Sequence, residues 1–165
     1  MFADITGFTS CSSNRNPVDV LQLLELLFKE FYIVGLQTGV FKVSTIGECY
    51  LMTSGLPDIR DDHAEVMAKF SVKWQKIFEL VTTELSYTLG SETTYLKLRC
   101  GLHSGPVTAG VLWGIRSIFE IFGNTVNTAS RIESTGIPTR IQLSQATTDL
   151  LIKAGKESWV KPRDS

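Results

Sequence analysis

Three short segments carry side chains whose types and spacing suit phosphate chemistry. Phe2-Ala-Asp4-Ile-Thr-Gly-Phe-Thr9 sets a carboxylate at the end of an apolar run and follows it with a glycine turn. A carboxylate so placed can hold a divalent cation beside exposed backbone N–H groups. Magnesium takes oxygen ligands, usually one or two carboxylates plus substrate phosphates. Ile46-Gly47-Glu48 places a second carboxylate on a tight turn. Two carboxylates on neighbouring strands can share a metal pair, one ion activating a hydroxyl and the other steadying phosphates. In the third segment, Asn127 and Arg131 are four residues apart and share one face of a helix. The arginine fork matches phosphate oxygens, and an asparagine beside it can orient a sugar. Each pattern also has a plain reading, because strand-end acids are mostly surface groups and an Asn/Arg pair mostly decorates a solvated helix. Spacing alone leaves both open.

These residues need strands and helices to hold them. Met1 to Ile5 reads as the tail of a strand. Asn16 and Pro17 start a helix as a side-chain cap and a first-turn proline, and Val20, Leu24, Leu27, Phe31 and Val34 form its buried stripe up to Gly39. Val40 to Val43 and Cys49 to Thr53 read as strands joined around Gly47-Glu48. A second stripe runs through Ala64, Met67, Ser71, Trp74, Phe78, Val81 and Leu85. Leu96 to Leu102 alternates as a half-buried strand should, His103 to Pro106 turns, and Val107 to Trp113 follows as a strand. A third helix runs from near Asn124 to Gly136, then a short strand at Ile141 to Leu143, then a helix from Ser144. The order βαββαββ, then β, α, β, α, predicts an α+β fold with a ferredoxin-like βαββαβ core and a mainly antiparallel sheet.

Composition narrows the classes. With 165 residues and 43% of them apolar, the chain is long enough for one domain with a real core. A net charge of −1 offers nothing to draw it to nucleic acid or an anionic membrane. Cys11, Cys49 and Cys100 are far apart and odd in number, which argues against a disulfide framework or a zinc site and for a reducing compartment. No apolar run is long enough to span a bilayer. The expected location is cytoplasmic, alone or as the cytosolic domain of a membrane protein. His63 and His103 receive no ligand or catalytic role.

Taken together, the motifs resemble the class III adenylyl/guanylyl cyclase catalytic domain, the eukaryotic guanylyl-cyclase-like branch above all. They are Phe2-Ala-Asp-Ile-Thr-Gly-Phe-Thr, Lys42-Val-Ser-Thr-Ile-Gly-Glu-Cys-Tyr, Ser54-Gly-Leu-Pro, Leu98-Arg-Cys-Gly-Leu-His-Ser-Gly-Pro-Val and Phe122-Gly-Asn-Thr-Val-Asn-Thr-Ala-Ser-Arg-Ile-Glu-Ser-Thr-Gly. The resemblance covers nearly the whole chain. It implies conversion of ATP or GTP to a 3′,5′-cyclic nucleotide and pyrophosphate by two-metal catalysis with Mg²⁺ or Mn²⁺, at sites shared in a homodimer or a heterodimer with another cyclase domain. One chain would supply the metal ligands Asp4, Glu48 and the Ile5 carbonyl. The same chain would bring the triphosphate contacts Thr6, Gly7, Phe8, Thr9 and Arg99. The other would supply Asn127 for the ribose, Arg131 for charge developing on phosphate, and Ser44 and Glu120 for the base. No nucleic acid and no direct membrane contact are expected.

The sequence also departs from that family's pattern. Glu48 stands where the family usually has Asp. Ser44 and Glu120 match neither the Glu/Cys pair usual for guanine nor the Lys/Asp pair usual for adenine, although Glu120 resembles the adenylyl choice. The chain starts inside the family's first strand and stops before its lysine-bearing loop and final strand, so it reads as a single domain over 1–165 trimmed at both ends. The alternative these departures suggest is a catalytically degenerate dimerisation or regulatory module.

Overall fold

The computed structural model describes residues 1–163. The opening apolar run becomes β1 (Phe2–Thr6). Gly7 then turns the backbone at φ 86°, a left-handed conformation that a β-carbon disfavours. The chain enters a short helix at once, α1 (Phe8–Ser13), which the Cys11 N–H closes on the Gly7 carbonyl at 3.0 Å. Sequence alone suggests only a turn here. The Asn16 side chain accepts from the Val18 N–H and Pro17 opens α2 (Pro17–Thr38). Its buried residues include Leu23, Leu27, Phe31 and Val34, with Val20 and Leu24 only half-buried. Both sets fit a 3.6-residue period, and packing chooses between them.

A hairpin of β2 (Phe41–Ile46) and β3 (Cys49–Thr53) precedes the long helix α3 (His63–Leu89). Next come β4 (Lys97–Leu102), a second hairpin of β5 (Thr108–Leu112) and β6 (Ile118–Phe122), α4 (Asn124–Ser134), β7 (Ile141–Leu143) and α5 (Gln145–Lys153). The main sheet has the order β2-β3-β1-β4-β7, antiparallel throughout except where β7 runs parallel to β4. Its first four strands in space, with the helices between them in sequence, are the expected βαββαβ arrangement. The β5–β6 hairpin forms a separate two-stranded sheet.

The sheet has two differently dressed faces. Helices α2 and α3 cover one, around Phe31, Tyr50, Phe70 and Trp74, with Phe31 and Trp74 meeting edge to face at 4.2 Å. The other face is covered by α4 and the β5–β6 hairpin around Phe2, Leu51, Ile121 and Ala129. Side chains alternate along a strand. Ala3 and Ile5 therefore join the first face, while Phe2 and Asp4 belong to the second.

Candidate active site

Asp4 lies opposite Cys49 on β3 and opposite Arg99 on β4. That register brings the Glu48 turn, the Asp4 carboxylate and the Arg99 guanidinium to one end of the α4-facing side. Arg99 Nη2 donates to Asp4 Oδ2 at 3.2 Å, and Arg99 Nε donates to Glu133 Oε1 on α4 at 2.6 Å. Glu133 is 5% exposed, and burial raises its carboxyl pKa against the pull of Arg99. Burial also raises the Asp4 pKa; Arg99 opposes the shift and the nearby Glu48 charge adds to it. The Thr9 hydroxyl on α1 donates to Glu48 Oε1 at 3.3 Å, tying the turn after β1 to the hairpin.

The donor chemistry here fits a divalent cation. Asp4 and Glu48 are hard oxygen donors, and the burial that disfavours the charged form of Asp4 makes a cation beside it favourable. The neighbouring Cys49 thiol is pushed up to about 12, chiefly by burial and then by the charges of Glu133 and Asp4, so it stays protonated and offers no soft thiolate. No cluster of three or more His, Cys, Asp or Glu with metal-holding geometry occurs among the described residues. Backbone and substrate oxygens would have to complete the coordination, as magnesium sites commonly arrange. Next to these acids, α1 leaves its first N–H groups, including those of Phe8 and Thr9, without helical partners. Thr6 is paired with Lys97 at the end of β1, and its hydroxyl donates to the Lys97 carbonyl.

Asn127 and Arg131 sit apart from that cluster. Both are exposed on α4, and neither side chain makes a hydrogen bond among the described residues. Val126, Ala129 and Glu133 form the inward stripe of this helix. Arg131 precedes Glu133 by two residues, about 200° around the helix at ~100° per residue. With Glu133 turned in to Arg99, Arg131 points away from Asp4 of its own chain.

The expected base-reading residues lie on two packed elements. A bulge between Lys42 and Ser44 sets Ser44 opposite Leu51, on the α4-facing side. β6 rests against β2 through Phe41 and Phe119, whose rings meet at 5.1 Å. Phe119 and Ile121 pack inward, so alternation turns Glu120 to the other face of the hairpin. No hydrogen bond joins Ser44 to Glu120 among the described residues.

Glu133 and Gly101 were not singled out from sequence. Glu133 had a signal, since a carboxylate on the stripe of Val126 and Ala129 must find a cation when buried. Gly101 had none. A β-carbon there would lie 2.2 Å from the Glu133 N, so its absence is what lets α4 rest directly on β4. His103 Nδ1 is 2.8 Å from the Ser144 hydroxyl that caps α5, a structural role.

Comparison with known proteins identifies the family and its fold. The family model described as the adenylate and guanylate cyclase catalytic domain matches residues 1–164. The receptor-type guanylate cyclase gcy-28 of Caenorhabditis elegans is 43% identical over 153 residues, which are 92% of this chain and 12% of that protein. The chain thus spans only a small part of that curated relative. Among solved structures, the guanylate cyclase domain of RhGC from Catenaria anguillulae in complex with GTP superposes with a TM-score of 0.78 at 37% identity, covering 91% of this chain and 79% of that one. The non-canonical dimeric guanylyl cyclase domain of the RhoGC fusion protein from Blastocladiella emersonii gives 0.81 at 38% identity, covering 92% and 81%.

Proposed function

We propose that this chain, which belongs to the adenylate and guanylate cyclase catalytic domain family, works as a nucleotidyl cyclase whose active sites are shared between two cyclase domains. The substrate is ATP or GTP, and the products are the 3′,5′-cyclic nucleotide and pyrophosphate. The observation that carries this reading is the separation of the two half-sites. Asp4, Glu48 and Arg99 converge at one end of the sheet, while Arg131 on α4 faces away from them. A second chain, identical or related, must bring Asn127 and Arg131 to the acids of the first.

Two divalent ions, Mg²⁺ or Mn²⁺, held by Asp4, Glu48 and the Ile5 carbonyl, would supply activation of the ribose 3′-hydroxyl and neutralisation of phosphate charge. The unpaired N–H groups at Phe8 and Thr9, with the Gly7 turn, form a backbone nest for triphosphate oxygens. Thr6 closes its base, and Arg99 adds a forked cation. From the second chain, Asn127 orients the ribose so that the 3′-oxygen is aligned with the α-phosphate. Arg131 stabilises the charge that builds there. Ser44 and Glu120 of that chain meet the base. The GTP bound to the Catenaria domain supports a purine triphosphate as substrate, and the dimeric Blastocladiella domain supports pairing of cyclase domains. No helix among the described residues is long and apolar enough to cross a membrane.

Mixing two inactive variants tests the shared site. Asp4→Asn and Arg131→Ala should each abolish cyclic nucleotide formation alone. Mixed in equal amounts and allowed to exchange partners, they should recover about a quarter of wild-type activity, because half of the two-fold dimers are mixed and each holds one intact site. No recovery from mixtures proven to exchange would exclude a shared site. Running both ATP and GTP identifies the substrate.

A further inference from the structure

We propose that Glu133 is a positioning residue that grips Arg99 by Nε and keeps its guanidinium at the site when a cation takes Asp4. The inference rests on the cyclase reading above and assigns a role within it. Arg99 stands between two acids that differ in distance and exposure. The bond to Glu133 is 2.6 Å long and its carboxylate side chain is 7% exposed; the bond to Asp4 is 3.2 Å long and that side chain is 20% exposed. Separating a buried carboxylate from its one cation leaves an uncompensated charge and is strongly unfavourable. Opening a longer pair at a wetter acid costs far less. When a divalent ion claims the Asp4 oxygens, the Asp4 contact is therefore the one that opens, and the Glu133 contact persists.

The released donors then suit a phosphate. A guanidinium has five N–H groups. Glu133 takes one, Asp4 takes one, and Nη1 has no partner among the described residues. Loss of the Asp4 contact frees Nη2 beside the already free Nη1, and the two together make a bidentate phosphate clamp. The stem runs close beside Gly136, where a β-carbon would lie 3.2 Å from Arg99 Cγ. Arg99 thus acts as a place-holding charge on Asp4 before the metal arrives and as a phosphate ligand afterwards. Glu133 is the pivot between these two states.

Glu133→Gln keeps the shape and removes the charge, and Glu133→Asp keeps the charge and shortens the reach. Side-chain ¹⁵N spectra of wild-type protein titrated with Mg²⁺ alone should show an Arg99 Nε–H that remains protected from exchange at saturation. In Glu133→Gln that protection should disappear on adding Mg²⁺. In steady-state assays with ATP and GTP, Glu133→Gln should raise KM on the order of tenfold, the effect of one charge-assisted hydrogen bond, with a smaller fall in kcat. Glu133→Asp should recover most of the loss. Rapid Nε–H exchange in Mg²⁺-saturated wild type overturns the proposal, as does a folded Glu133→Gln with unaltered KM and protection. If Glu133→Gln does not fold, Glu133→Asp carries the test, and unaltered spectra and KM there overturn it. A wild type that cyclises neither nucleotide, alone or paired with a related cyclase domain, refutes the cyclase reading, while the spectra still decide whether Glu133 holds Arg99.

Discussion

On the proposed reading, the Glu48 carboxylate would do the work that the resemblance assigns to a shorter acid, aspartate. Glutamate reaches about 1.5 Å further than aspartate, one C–C bond, and the hairpin must absorb that length. The Thr9 bond at 3.3 Å shows where the longer side chain is steadied. Glu48→Asp withdraws the oxygens from Thr9 and alters the space open to a cation. Turnover should be retained or raised, and the ratio of Mg²⁺-supported to Mn²⁺-supported rates should change, because magnesium demands tighter octahedral geometry. Parallel assays with the two metals check this, and an unchanged rate and ratio would remove Glu48 from the metal pair. Asp4, Glu48, Asn127 and Arg131 could be picked from sequence because each sits in a recognisable motif. Glu133 had only the signal of an acid on an apolar stripe, and the cation it meets, Arg99, appears only when α4 docks.

At the scale of elements, α4 is the part that one substitution would disturb most. It carries Asn127 and Arg131 outward and Glu133 inward, and it rests on β4 at Gly101 without the clearance a β-carbon would need. Gly101→Ala must push the helix away, at an overpacking cost of about 1–3 kcal/mol. The displacement also acts on the site, where misplacement by about 1 Å can cost on the order of a hundredfold in rate. The expected result is a folded, modestly destabilised protein whose kcat/KM falls far more than its stability. Melting curves beside initial rates distinguish this from simple unfolding, and a variant with normal rates would show that α4 can shift freely. The long helices were legible because α2 and α3 repeat apolar residues at helical spacing. α1 was not, because six residues after a glycine hold too little pattern to separate a helical turn from a loop. The buried set of α3 includes Phe70 and Thr82 beside the expected Met67, Ser71, Trp74, Phe78 and Leu85, since a helix packed against both sheet and α2 buries more than one stripe.

For the molecule as a whole, the sheet order follows from tight turns between β2 and β3 and from longer crossovers elsewhere, so the antiparallel α+β architecture was within reach of the sequence. The parallel β4–β7 pairing was not, because it depends on how the loop after α4 returns. That return is secured by a polar joint at the far end of β4. His103 contacts Ser144, and Ser104 and Thr147 meet at 3.0 Å, fastening the start of α5 to the sheet. Burial lowers the His103 pKa below 6.5, so the folded chain binds its proton less tightly than the unfolded chain. Stability from this joint is therefore fully present above pH 6.5 and is lost as pH falls through the lower folded-state value. Urea unfolding of wild type and His103→Gln between pH 7.5 and about 5 measures the difference. The wild type should lose stability relative to the variant as the pH drops, and curves that stay parallel across that interval would show that His103 ionises alike in both states.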